Sequence, residues 1–282
     1  MLPKSGTDRV SILGVQVDAL DIASAVRLIV TTAARPASAA GYVVKPYVEF
    51  LDRAGRDADI RGLLNGAWLS LPDGVACLWA AHYLYAGPRS AVRFCRTLAA
   101  IVLRPTDLCW PLPERIAGTN FTLPLLEAAA EAGLRVFLMG LQDDEAIRHT
   151  AQTLHAKIPG LTIVGTRSGR DTERPNEPVG KAWIAEAGEH ITACRADLIL
   201  VGMGFPLQER VMEALRKQLA HGVLIGEGGT FEYVSFGGTR PKAPEAIQRV
   251  GLEWLWRLAQ EPDRLVRQLA VPRFIYSVWK IR

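Results

Sequence analysis

What this sequence lacks narrows its chemistry first. No apolar run approaches the roughly 18 residues a membrane-crossing helix needs, and the chain does not open on a basic stretch followed by an apolar core. Its four cysteines (Cys77, Cys95, Cys109 and Cys194) have no C-x-x-C spacing, and its five histidines are equally dispersed. That pattern argues against a disulfide framework and against a His/Cys metal site, and a reducing cytoplasm is the expected compartment. No phosphate-binding G-x-x-x-x-G-K-[ST] occurs. The G-x-G of Gly202 and Gly204 meets Leu207 where a dinucleotide fingerprint needs its third glycine. No Ser or Cys sits in a recognisable nucleophile motif. Asp57-Ala58-Asp59 has the letters of a cation-holding D-x-D, but it lies in charged helical text and not after an apolar strand.

Net charge is small as well, and unevenly placed. The formal net charge is +4, and residues 257–282 account for all of it, with Arg257, Arg264, Arg267, Arg273, Lys280 and Arg282 against Glu261 and Asp263. A neutral main body with only 7% aromatic residues excludes nucleic acid as the expected partner. Cations gathered at one end beside Phe274, Tyr276 and Trp279 suit an anionic membrane surface.

What is present is a regular alternation. Val10 to Val17 reads as a strand pair about Gly14, and Asp21 caps a helix running through Thr32. Short apolar runs at Tyr42–Val44, Ala67–Leu71, Arg135–Met139, Leu161–Val164, Leu198–Val201 and Val223–Ile225 alternate with helical stretches. The fold expected is Rossmann-like α/β, a mostly parallel sheet with helices on both faces, over residues 1–258. The helix of Ile247 to Leu258 is expected to break at Pro262, and residues 259–282 to form a basic helical appendage in which a helix carrying Arg264 and Arg267 ends at Pro272. Residues 87–113 read as an insertion in which Arg89, Arg93, Arg96 and Arg104 alternate with Val92, Phe94, Leu98 and Ile101. Such a helix either lies on a membrane or docks on its own domain.

Three strand mouths carry the candidate chemistry. Ala196 to Glu209 reads as strand, glycine turn and helix start. Free N–H groups at such a helix start, approached over Gly202 and Gly204, suit a diphosphate, although an ordinary βα turn looks the same. Glu227-Gly228-Gly229-Thr230-Phe231 is a second glycine-rich mouth, and Arg240 and Lys242 in the following loop bring two cations. Asp73, in Pro72-Asp73-Gly74 after a strand, is an acid at the carboxyl edge of the sheet, where ligands of parallel sheets bind, or else a cap of the next helix.

Taken together and in order, several motifs resemble the WecG/TagA/CpsF family of bacterial glycosyltransferases. They are Leu71-Pro72-Asp73-Gly74, Arg115-Ile116-Ala117-Gly118, Val136 to Gly140, Pro159 to Gly165, Asp197 to Glu209, Gly228-Gly229-Thr230-Phe231, and Lys242-Ala243-Pro244 with Gly251 to Leu258. The resemblance covers about Val10 to Arg273. It implies an inverting, metal-independent transfer from a UDP-sugar to a polyprenyl-diphosphate-linked sugar at the inner face of the cytoplasmic membrane, in polysaccharide assembly. Donors such as glucose or N-acetylmannosamine both remain open. Under it Asp73 is the general base. Gly140, Gly202, Gly204, Pro206, Gln208, Glu209, Gly229 and Phe231 form the nucleotide-sugar pocket. Arg240, Lys242 and Arg249 stabilise the departing UDP, and Lys45, Tyr47, Arg115 and Asn120 lie near donor and acceptor. The chain departs from the family where a Thr-x-Asn stretch is replaced by Lys45-Pro46-Tyr47, an Asp by Asn120, and Arg-Ala-Pro by Lys242-Ala243-Pro244. These departures admit a second reading, a non-catalytic UDP-sugar-binding scaffold.

Overall fold

The computed structural model describes residues 6–35, 39–141, 143–169, 179–244, 247, 253–260 and 269–281. Six strands form one parallel sheet: β3 (Gly41–Val44), β4 (Leu69–Ser70), β5 (Arg135–Gly140), β6 (Thr162–Ser168), β7 (Leu198–Gly202) and β8 (Val223–Gly226), in the order β4-β3-β8-β7-β5-β6. The inner strands are continuous apolar runs because helices cover both faces. Tyr42, Val44, Ile199, Val201 and Leu224 point into one core, while Val43, Leu198, Leu200, Val223 and Ile225 point into the other. β6, at the sheet edge, is only half-buried over most of its length. The Rossmann-like expectation holds for the architecture.

The strand pair at the start is a separate antiparallel hairpin, β1 (Arg9–Ile12) and β2 (Val15–Asp18). Its apolar side, Val10, Ile12, Val15 and Val17, joins the first core. Asp18 anchors it. The carboxylate is wholly buried and accepts from Arg9 Nε at 2.7 Å, from the Ser70 backbone N–H at 2.7 Å and from the Thr7 hydroxyl. Asp21 caps α1 (Ile22–Ala33) by accepting from the Ser24 N–H. The helical text after β3 divides at Asp57 into α2 (Val48–Arg56) and α3 (Ala58–Asn65), and Asp57 accepts from the N–H groups of Asp59 and Ile60. Thus Asp57-Ala58-Asp59 is a helix start.

Beyond β4, α4 (Val75–Tyr85) is buried on nearly every side. α5 (Ala91–Leu103) docks on it: Phe94 meets the rings of Trp79 and Tyr83 edge-on, and the buried Arg93 donates to the carbonyl of His82 at 2.6 Å and to that of Gly87. So Arg93, read from sequence as part of a basic face, points inward. α6 (Gly118–Glu131) starts at Gly118 with no side-chain cap, ahead of the Thr119 or Asn120 cap expected. α7 (Asp144–Lys157), α8 (Lys181–Ala193) and α9 (Leu207–Gln218) complete the layers.

At the end of the chain, α10 (Glu253–Gln260) and α11 (Ala270–Lys280) are helical. Pro262, Arg264 and Arg267 lie outside the described residues. Pro272 does not end a helix; it sits in the first turn of α11, where its missing N–H has no intrahelical acceptor to lose. One side of α11 is core: Phe274 and Val278 are fully buried, Phe274 meets Trp79, and Arg273 pairs with Asp52 at 3.3 Å. Its other side exposes Tyr276 and Trp279. No helix among the described residues is long and apolar enough to cross a membrane.

Removing Asp18 leaves Arg9 and the Ser70 N–H without their acceptor inside the core. Asp18→Ala is expected to lower unfolding free energy by about 3 kcal/mol, measured by urea denaturation, with loss of the hairpin's amide-exchange protection.

Candidate active site

A cavity of about 490 Å³ opens beyond the carboxyl ends of β3, β4, β7 and β8. Each strand delivers its next residues there. β3 supplies Lys45 and Tyr47, β4 supplies Asp73, β7 supplies Gly204, Phe205 and Gln208, and β8 supplies Glu227, Gly228 and Gly229. Arg115, Arg240 and Lys242 close in from loops.

Asp73 is held by its backbone. Its N–H donates to the Pro46 carbonyl at 3.1 Å, and the Ile116 N–H donates to the Pro72 carbonyl at 2.8 Å, so the β4 mouth is tied to the β3 mouth and to the Arg115 segment. α4 is capped by Gly74 with no side-chain bond, so Asp73 is not that helix's cap. Its partly exposed side chain faces the cavity. The neighbouring Cys77 thiol is pushed up by burial first and by the Asp73 charge second, which leaves it an inert core residue.

At the floor, Lys45 and Glu227 form a buried ion pair, Nζ to Oε2 at 2.8 Å, with side chains 5% and 0% exposed. The Thr122 hydroxyl donates to the same Glu227 oxygen at 2.7 Å, and Lys45 lies 5.3 Å from the centre of the Phe121 ring. Glu227 Oε1 is buried and has no hydrogen-bond partner among the described residues. Glu227 and Thr122 were not among the sequence candidates.

The two glycines of the turn after β7 have different surroundings. A side chain on Gly202 would put Cβ 2.7 Å from the Phe231 ring and 3.2 Å from the Gly228 carbonyl, so Gly202 is there to let the two mouths touch. Gly204 has positive φ (71°) and open space beside it, and it faces the cavity. Gln208 is a buried bracket: its Oε1 accepts from the Gly228 N–H at 2.8 Å and its Nε2 donates to Glu209 Oε1 at 2.6 Å. Glu209, wholly buried beneath, is pushed up to about 7 by burial, against the lowering effect of the Gln208 bond. Pro206 caps α9, Phe231 is core, and Gly140 is a buried strand end whose carbonyl accepts from Gly169. None of these three, nor Gly202 or Glu209, lines the cavity.

Of the cations, Arg240 pairs with Glu232 at 2.5 Å, and its Nη1 lies 3.2 Å from the Cβ that Gly229 lacks. Lys242 donates to Asn120 Oδ1 at 2.5 Å, so Asn120, itself exposed, steers the lysine. The Tyr47 hydroxyl donates to Glu49 at 2.5 Å. Arg249 lies outside the described residues.

An acid at a strand mouth, a bracketed pair of glycine turns and two loop cations share one cavity, and each motif behind them matches the family's order. Comparison with known proteins agrees: the sequence matches the glycosyl transferase WecG/TagA/CpsF family over residues 10–107 and 99–282. This chain belongs to that family. A relative from Bacillus spizizenii, named N-acetylglucosaminyldiphosphoundecaprenol N-acetyl-beta-D-mannosaminyltransferase, is 31% identical over 170 residues, 60% of this chain. The aligned part spans 61% of that relative. Within the family's motif order, the two matched stretches meet inside α5 and the turn that follows it.

Because the Glu209 carboxyl holds its proton more tightly folded (about 7) than unfolded (4.5), its stabilisation is complete below pH 4.5 and is lost as pH rises to about 7. The loss attributable to this group is roughly 3 kcal/mol. Denaturation measured from pH 4 to 8 is expected to show that fall, and Glu209→Gln is expected to flatten it.

Proposed function

We propose that this protein is an inverting glycosyltransferase that moves an N-acetylmannosamine-type sugar from UDP to a sugar carried on polyprenyl diphosphate. The observation that carries the reading is one cavity lined by Asp73 and by the cations Lys45, Arg115, Arg240 and Lys242, beyond the carboxyl ends of a parallel sheet. Family membership supports the reaction class, and the name of the Bacillus relative supports the sugar and the lipid carrier.

In this reaction Asp73 takes the proton from the acceptor hydroxyl as its oxygen attacks the anomeric carbon. The bond to the UDP oxygen breaks on the opposite face, so configuration inverts. The electron pair leaves on the diphosphate, and Lys242 and Arg240 stabilise the growing charge without needing a divalent ion. Lys242 suits that task because its partner in the structure is a neutral amide. The protein would work from the inner face of the cytoplasmic membrane, where UDP-sugars and lipid-linked saccharides meet, with the exposed Tyr276, Trp279 and Lys280 of α11 toward the lipid.

The test is UDP release from UDP-N-acetylmannosamine with a short-chain prenyl-diphosphate N-acetylglucosamine acceptor. Asp73→Asn is expected to cut turnover about 10³-fold while leaving UDP affinity unchanged; an active variant would remove Asp73 from the base role. If the wild-type protein binds UDP but turns over no donor, the enzyme reading fails and the scaffold reading, favoured by Lys45 in place of threonine, takes over. Lys242→Met is expected to lower kcat about 10²-fold and to change acceptor KM little.

A further inference from the structure

The polar floor is only half of the cavity. Its other wall is hydrocarbon: Trp79 from α4, Leu98 and Ile101 from α5, and Val271, Phe274 and Ile275 from α11. The Trp79 indole N–H is already spent on the Thr97 hydroxyl at 3.2 Å, so this ring offers the cavity only carbon. Trp256, which lines the same space, has a buried indole N–H with no acceptor among the described residues, a donor next to an apolar surface.

We propose that this wall, built by α5 against α11, binds the first isoprenoid units of the acceptor lipid while its diphosphate lies toward the loop cations that line the same cavity. The inference rests on the glycosyltransferase reading for the identity of the lipid. Three observations point to an amphiphile rather than to a sugar nucleotide alone. Apolar and cationic linings meet within one cavity of small-molecule size. The apolar part is not a sealed core, since Leu98, Ile101, Val271 and Ile275 remain half-exposed along it, whereas Trp79 and Phe274 behind them are fully buried. The wall also reaches the protein surface at Val102, 45% exposed, so a long chain has a way out. α5 contributes Leu98, Ile101 and Val102 to this wall, and α11 faces them with Val271, Phe274 and Ile275.

Each buried CH₂ is worth about fourfold in affinity, so a tail that reaches this wall must bind more tightly than one that does not. The experiment compares methyl diphosphate and farnesyl diphosphate, both below the micelle concentration, by calorimetry and by tryptophan fluorescence on the full chain. Farnesyl diphosphate is expected to bind at least tenfold more tightly. Val102→Glu and Ile101→Glu are expected to abolish that preference, with UDP affinity unchanged as the check on folding. Equal affinity for the two diphosphates, a preference that survives both substitutions, or farnesyl binding only above the micelle concentration would overturn the proposal. A farnesyl preference lost in both variants, in a protein that transfers no sugar, would uphold the groove and sink the transferase reading. Transfer with equal KM for methyl- and farnesyl-linked acceptors would do the reverse.

Discussion

The site depends on a charge pair hidden at its floor. Lys45 follows β3 and Glu227 follows β8, neighbouring strands of the sheet, and their side chains meet at 2.8 Å with almost no contact with water. Taking two such charges out of solvent costs several kcal/mol each, and the mutual attraction repays this only when further hydrogen bonds complete the geometry. Here the completion is partial. Thr122 donates to Glu227 Oε2, and Oε1 has no partner among the described residues. A pair of this kind is a poor source of stability but a strong constraint on position, because neither member can leave the other without stranding a buried charge. It therefore pins the mouths of β3 and β8 together and fixes α6, which carries Thr122, beside them.

A second constraint acts one strand over. Gln208 receives the Gly228 N–H and grips the buried Glu209, while Gly202 lets Phe231 lie against the β7 strand end. The β7 and β8 mouths thus move as one body, as the β3 and β8 mouths do. Asp73 joins the same frame through the Pro46 and Ile116 backbone bonds. The candidate base is consequently presented by strand mouths cross-braced through buried groups, which is the kind of pre-organisation that electrostatic catalysis needs.

The sheet was legible because burial on both faces writes each inner strand as a short unbroken apolar run, and Asp73 was legible because it follows such a run directly. Strand order was not, since nothing local tells β3 that β8 will lie beside it. That is why Lys45 and Glu227 looked unrelated: each is one residue of opposite charge just past a strand, and only the register of Val43 with Ile225 brings them opposite. At the glycine turn the sequence left two uses open, and the structure shows one of them at Gly202. G-x-G fits a phosphate approach and a close packing contact equally well, and the deciding fact, an aromatic ring against Gly202, comes from a residue 29 positions away. The inward turn of Arg93 escaped for a similar reason: its partners are backbone carbonyls of α4 and of the loop that follows it, which carry no sequence signature.

Exposure separates the roles of the cations. The Glu227 partner of Lys45 is wholly buried and has nowhere to go, so Lys45 keeps its pair when a ligand arrives and offers only its remaining N–H donors. The Glu232 partner of Arg240 is half-exposed, and water can take over its carboxylate at little cost. Lys242 is held by an amide that demands no charge compensation. An entering diphosphate would therefore recruit Arg240 by exchange and Lys242 by direct attraction, and leave Lys45 in place to contact the sugar or acceptor near Asp73. Under the proposed reaction, that division would put the exchangeable positive charge toward the leaving group and the fixed charge near the reacting centre. The buried Glu227 carboxylate beside Lys45 would likewise keep an entering diphosphate toward Arg240 and Lys242.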